Sequence, residues 1–168
     1  MIAWRAGTAS PVEAGFHILA AHTDSPNLRI KPDPEIGRHG WVQWGVEMYG
    51  GVLLSTWMDR DLGLSGRVAV RGKEGISLHL VRVDRPVARV PNLAIHMDRT
   101  VNQTGLKMNA HKHLSPVLAL CDGGGSCDRE GGQDRLQKLV GEALDLDPCD
   151  ILGWDLGLHD LQAPTLGG

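Results

Sequence analysis

His22 and Asp24 stand two residues apart in Ala21-His22-Thr23-Asp24-Ser25-Pro26, directly after the apolar run at 16–21. On an extended chain, residues i and i+2 point to the same side. A carboxylate so placed can orient an imidazole for metal ligation, as outer-shell carboxylates do. One histidine does not make a metal site, so any such site needs ligands from elsewhere. Among the other histidines, His111 and His113 flank Lys112 like a weak metal clip; His113 reads as structural or interfacial and His111 as solvated. His17, His39, His79 and His159 carry no motif, and His96, beside Ile95, reads by itself as a semi-buried structural histidine. Asp59-Arg60-Asp61 reads as an ion-pair and turn network rather than a substrate site.

The elements that must position these residues are mostly strands. Residues 1–5 and 15–21 are predicted strands, and 28–31 is a short extended piece closed by Pro32 and Pro34. Further strands are expected at 41–46 and 51–57, broken at Tyr49-Gly50-Gly51. The runs 66–71 and 76–83 alternate with period two around Gly72-Lys73-Glu74-Gly75, which is hairpin chemistry. An extended run at 89–95 contains Pro91, and 100–112 reads as a polar loop. Residues 116–120 suit a strand or a helical turn, and 122–132 reads as a Gly-rich surface loop. One amphipathic helix is expected at 133–144, where Leu136, Leu139, Val140, Ala143 and Leu144 share a face. Leu152, Trp154, Leu156 and Leu158 alternate as a last strand. Trp41, Trp44, Trp57 and Trp154 are expected as core or interface anchors.

With 168 residues the chain can build one domain, or one domain plus a small insertion. A net charge of −3 gives no reason to expect nucleic acid or an anionic membrane as partner. No apolar run approaches the roughly 18–20 residues of a membrane span. Three cysteines are too few and too odd in number for a disulfide framework, and the expectation is reduced thiols in a cytoplasmic protein. The residues alone support an antiparallel sheet or barrel with little helix.

Several ordered blocks resemble the aspartyl aminopeptidases, cytoplasmic two-zinc metallopeptidases. They are Ala21-His22-Thr23-Asp24-Ser25-Pro26, Gly50-Gly51, Thr56-Trp57-Met58-Asp59-Arg60-Asp61-Leu62, Gly66-Arg67-Val68, Leu93-Ala94-Ile95-His96 and Asp155-Leu156-Gly157-Leu158. Asn102, Asn109, His113-Leu114, Pro116 and Leu166-Gly167-Gly168 also fit the family pattern. The resemblance implies an α+β, β-rich chain: the start of an α/β peptidase domain plus an inserted β-barrel-like oligomerisation domain. Residues 1–26 would belong to the peptidase domain, 27–150 to the insertion, and 151–168 to the strand and loop returning to the peptidase domain.

It further implies His22 as a ligand to one of two zinc ions (or another divalent metal in their place) and Asp24 as its orienting carboxylate. His96 would reach a neighbouring subunit's site and help hold substrate. The remaining ligands and the general base would follow position 168, so the chain is expected to be truncated at both ends and inactive alone. The implied substrates are peptides with N-terminal Asp or Glu, and the implied assembly is a homo-oligomer, commonly a dodecamer. A second reading, in another class, is a non-catalytic β-rich assembly or interaction module.

Overall fold

Period-two alternation and a glycine-bounded turn produce the hairpin expected at 66–83, and the strands run well past it at both ends. The structure is a computed structural model that describes residues 2–22, 24–121 and 135–167. Its strands are β1 (Asn27–Arg38), β2 (Trp41–Tyr49), β3 (Asp61–Gly72), β4 (Gly75–Arg89), β5 (Val117–Leu120) and β6 (Ile151–Asp160). They close an antiparallel barrel in the order β1-β2-β5-β4-β3-β6, in keeping with the β-rich α+β expectation. β6 is a stave of that barrel: Leu158 faces Leu28 on one side and Leu64 on the other. The barrel therefore spans 27–160, with its first and last strands side by side.

The core follows from the inward half of each alternation. Leu28, Trp44, Leu62, Leu64, Val68, Leu156 and Leu158 are all at most 1 % exposed. Each such side chain contributes about 1.5–3 kcal/mol by leaving water. The expected helix forms as α4, described over Arg135–Leu144, and sends Leu136 and Val140 into the same core. The remainder of that expected helix, with the Gly-rich stretch 122–132, lies outside the described residues. Trp44 is fully buried, Trp57 and Trp154 pack partly buried against the core, and Trp41 remains 42 % exposed.

The prolines at 32 and 34 do not close the first strand. Ile30 pairs with Val46 and Glu35 pairs with Trp44, so residues 31–34 stand opposite Gly45 alone. This wide bulge takes the prolines out of the ladder. A side chain at Gly45 would meet Lys31 and Ile36 at 3.3 and 3.4 Å, while the freed Lys31 carbonyl accepts the Trp154 indole N–H at 3.2 Å. β4 bulges similarly, because Leu62 faces Ala88 and Leu64 faces Val83.

Four local expectations are corrected. The segments 1–5 and 15–21 form no strand where they are described. The described N-terminal stretch carries one helical turn, α1 (Pro11–Ala14), and leaves Phe16, Ile18 and Leu19 at 81, 83 and 99 % exposure. A strand exists by pairing, and no described strand lies beside these runs to accept their N–H and C=O groups.

Residues 54–57 form a 3-10 turn rather than a strand, because Thr56 bonds the Leu53 carbonyl through both its backbone N–H and its hydroxyl. The run 89–95 leaves the sheet at Arg89; Val90 makes only an isolated bridge to Met58, and Pro91 has no N–H to continue it. The polar 100–112 stretch holds two helical turns, α2 (Val101–Thr104) and α3 (Ala110–His113).

Cys121 is disulfide-bonded, against the expectation of reduced thiols. An odd cysteine count argues against a framework, not against a single bond between two close residues.

Candidate functional site

The described residues around His22 and Asp24 have no regular structure, and the chain enters β1 at Asn27. His22 Nδ1 lies 3.0 Å from Asp24 Oδ1, with the two side chains 77 and 55 % exposed. When the Nδ1–H donates to the carboxylate, Nε2 carries the lone pair and is the ring nitrogen available to a metal. The i, i+2 spacing thus brings the two side chains together as the sequence suggests. Among the described residues, no group of three His, Cys, Asp or Glu side chains could share a metal ion. His96 accordingly joins no such group with His22 and Asp24. It sits, exposed, in the turn closed by Met97 N–H donating to the Ala94 carbonyl at 2.8 Å.

A second set of polar residues gathers where the chain leaves the barrel. Arg60 pairs with Asp160 at the end of β6. Arg89 forks, donating to Asp61 Oδ1 at 2.9 Å and to the Asp59 carbonyl at 2.9 Å. The Asp59-Arg60-Asp61 turn is therefore an ion-pair network, as its composition suggests. Asp160 also accepts the Gln162 N–H at 3.0 Å; that bond, then the Arg60 guanidinium, holds its carboxyl below the usual carboxylate range.

Next to it His159 Nε2 lies 3.1 Å from Asp84 Oδ1, reaching across Gly63, where an added Cβ would meet that nitrogen at 2.6 Å. Asp84 is held below its usual range by its two bonds from Arg82 Nε, at 2.8 and 2.7 Å, and then by His159. The His159–Asp84 pair was not legible in sequence: 75 residues separate the two, and only the barrel register brings them together. Asp155 was missed for the same reason. It bridges Arg29 at 2.8 Å and Arg67 at 3.2 Å from three different strands.

His113 is exposed, and its Nδ1 accepts the Asn109 N–H at 3.1 Å within its own helical turn. His111 is exposed.

The family described as aminopeptidase I zinc metalloprotease (M18) matches residues 1–168. The probable M18 family aminopeptidase 2 of Streptomyces avermitilis is 48 % identical over 168 residues, which are 100 % of this chain and 37 % of that protein. A chain of the Ape4 and Nbr1 complex is similar in structure, with a TM-score of 0.78 and 35 % identity over 88 % of this chain and 30 % of that one. The S. cerevisiae mApe1 dodecamer gives a TM-score of 0.63 at 25 % identity, covering 88 % of this chain and 31 % of its own. The chain thus spans little more than a third of the length of that curated relative. On the match across its whole length, this chain belongs to the M18 family of zinc aminopeptidases.

Proposed function

We propose that this chain serves an M18 aminopeptidase acting on peptides with N-terminal Asp or Glu, supplying one zinc ligand and the oligomerisation barrel. The observation that carries the reading is the 3.0 Å contact between His22 Nδ1 and Asp24 Oδ1. It fits a metal ligand with its outer carboxylate, and so fits one corner of a two-zinc site. Zinc bound there, alone or replaced by another divalent ion, would polarise the scissile carbonyl and acidify a water. Asp24 keeps the His22 ring oriented with Nδ1 toward the carboxylate, so that Nε2 is the nitrogen turned to a metal.

His96 is assigned to substrate: an imidazole N–H in a neighbouring subunit's site can donate to a developing oxyanion. Residues 1–26 belong to the peptidase part; of the expected return stretch 151–168, β6 (Ile151–Asp160) is instead a strand of the barrel, and the barrel contacts other copies in a homo-oligomer, of which the dodecamer is the expected form. The compartment is the cytoplasm. With one ligand and no assigned general base, the 168-residue chain by itself hydrolyses no peptide.

The test is a chimera in which this chain replaces the matching section of the Streptomyces relative. It is expected to release N-terminal Asp and Glu, and His22→Ala is expected to abolish release and lower bound zinc. Asp24→Ala should weaken zinc binding roughly 10- to 100-fold. An active chimera indifferent to His22→Ala sinks the ligand assignment. For the isolated chain, calorimetric zinc titration should show no tight site at His22. A sub-micromolar site lost in His22→Ala would overturn the single-corner reading.

A non-catalytic assembly module is the second reading. It is favoured by the barrel core, which is closed between Leu28 and Leu158. An inactive chimera that still assembles decides for it.

A further inference from the structure

Asp59 has a left-handed backbone, φ 57°, unusual for a residue with a side chain. Three contacts fix it there. Its N–H donates to the Val90 carbonyl at 2.8 Å, beside the Met58–Val90 bridge. Its carbonyl accepts one arm of Arg89 at 2.9 Å while the other arm holds Asp61 at 2.9 Å. Its carboxylate Oδ1 accepts the Asn92 N–H at 3.2 Å.

That last bond is the root of the segment bearing His96. Pro91 has no N–H, so Asn92 carries the first N–H after the Met58–Val90 bridge. Asn92 Oδ1 then accepts Leu93 N–H at 2.8 Å, and the Ala94 carbonyl accepts Met97 N–H at 2.8 Å, closing the turn that contains His96. Residues 91–97 are all exposed, so burial does little to hold them. Their placement rests on hydrogen bonds, and among the described residues the one that reaches them from outside their own stretch comes from the Asp59 side chain.

We infer that Asp59 is a positioning residue for the loop bearing His96, with Arg89 as its brace. The inference gives Asp59 and Arg89 a role that ion pairing alone does not, and its bearing on the reaction rests on the proposed role of His96. Arg89 suits the brace because its planar fork sets two donors in fixed directions, one to a carbonyl and one to a carboxylate, where lysine's rotatable ammonium has no such preset geometry. Through Arg60, the same turn also grips Asp160, so the His96 loop and the end of β6 share one anchor.

Amide hydrogen exchange on the 168-residue chain tests this, comparing wild type with Asp59→Gly and Asp59→Asn. Glycine adopts a positive φ freely, so Asp59→Gly removes the carboxylate without straining the backbone. Asparagine tolerates the same conformation and keeps an acceptor. Asp59→Gly should speed exchange at Asn92 through Met97 about three- to tenfold, the size of one lost charge-assisted bond at an exposed site. The amides of the β3–β4 hairpin should be unchanged, and Asp59→Asn should stay close to wild type.

Unchanged exchange at 92–97 in Asp59→Gly overturns the inference. So does acceleration spread equally over the hairpin, which would make the role one of global stability. The chimera separates the two readings: if His96→Ala leaves its kcat/KM unchanged, the role of His96 fails while the positioning of the loop by Asp59 stands on the exchange data.

Discussion

Glu35 accepts the buried Trp44 indole N–H at 3.1 Å and, with the same oxygen, the Leu136 backbone N–H at 3.3 Å. Trp44 is 1 % exposed, so its indole has no water to turn to. Leu136 is a buried residue of α4, so the same oxygen also meets the helix. One carboxylate thus joins β1, β2 and the helix. Glu35→Ala orphans a buried donor and should destabilise the chain by about 2 kcal/mol, whereas Glu35→Gln keeps an acceptor and should cost less than about 1 kcal/mol. Urea unfolding compares them, and equal midpoints for all three chains would mean that the junction contributes nothing.

Gly66 is held to glycine by its neighbours. At φ 151° an added Cβ would lie 2.2 Å from the Asp155 carbonyl oxygen, a backbone atom that cannot turn away. Gly66→Ala is therefore expected to cost more than about 3 kcal/mol, by forcing β3 and β6 apart. Gly153, whose Cβ would meet nothing within 4 Å, is the control: Gly153→Ala should be nearly neutral. Thermal unfolding of both variants checks the contrast, and similar losses would show that contact with Asp155 is not the cause.

Where a strand's information is local, the sequence displays it. The β3–β4 hairpin announces itself in alternating Val68, Val70, Leu78 and Leu80 around Gly72 and Gly75, and α4 in the spacing of Leu136, Leu139 and Val140. His22 and Asp24 were legible for the same reason, since i, i+2 geometry needs no tertiary knowledge. What escaped depends on distant partners. The continuation of β1 through Pro32 and Pro34 requires Gly45 opposite to make room for the bulge. Residues 15–21 have strand composition yet no described neighbour to pair with. Glu35, Asp84 and Asp155 look like ordinary surface acids until the barrel register brings Trp44, His159 and two arginines to them.

The acids held below their usual range set the response to pH. Asp160 is lowered by the Gln162 N–H and then Arg60, and Asp84 by Arg82 and then His159. A carboxyl whose folded pKa is depressed stabilises the fold above its unfolded value, about 3.9, and loses that contribution as pH falls through the folded value. Stability should therefore decline below about pH 4. Asp160→Asn should lower stability at pH 7 and flatten the decline, because it removes one of the groups that must protonate. Urea midpoints from pH 7 to pH 2.5 for the two chains make the comparison. An Asp160→Asn chain whose midpoint runs parallel to wild type throughout would remove Asp160 from the account.

On β4 the outward half of the alternation is apolar as well as the inward half. Ile76, Leu78 and Leu80 are 70, 69 and 83 % exposed, while Val81 and Val83 are buried. Across the register they face Arg71, Ala69 and Arg67 on β3, so the stripe has no large apolar neighbour on that strand to cover it. On its other side β4 pairs with β5 only at Arg89–Val117, which leaves its ladder groups over 76–83 without a partner on that edge among the described residues. Exposed aliphatic strand edges favour association. In the proposed homo-oligomer this stripe is expected to lie against another copy.

Leu78→Lys combined with Leu80→Lys should leave stability within about 0.5 kcal/mol, both sites being exposed. The pair should nonetheless shift sedimentation velocity profiles to smaller species at matched concentration. Lysine is the residue with which natural edge strands discourage pairing, so the change acts on the ladder edge and the apolar stripe together. A folded double variant that sediments as wild type would place the contact between copies on another face of the barrel.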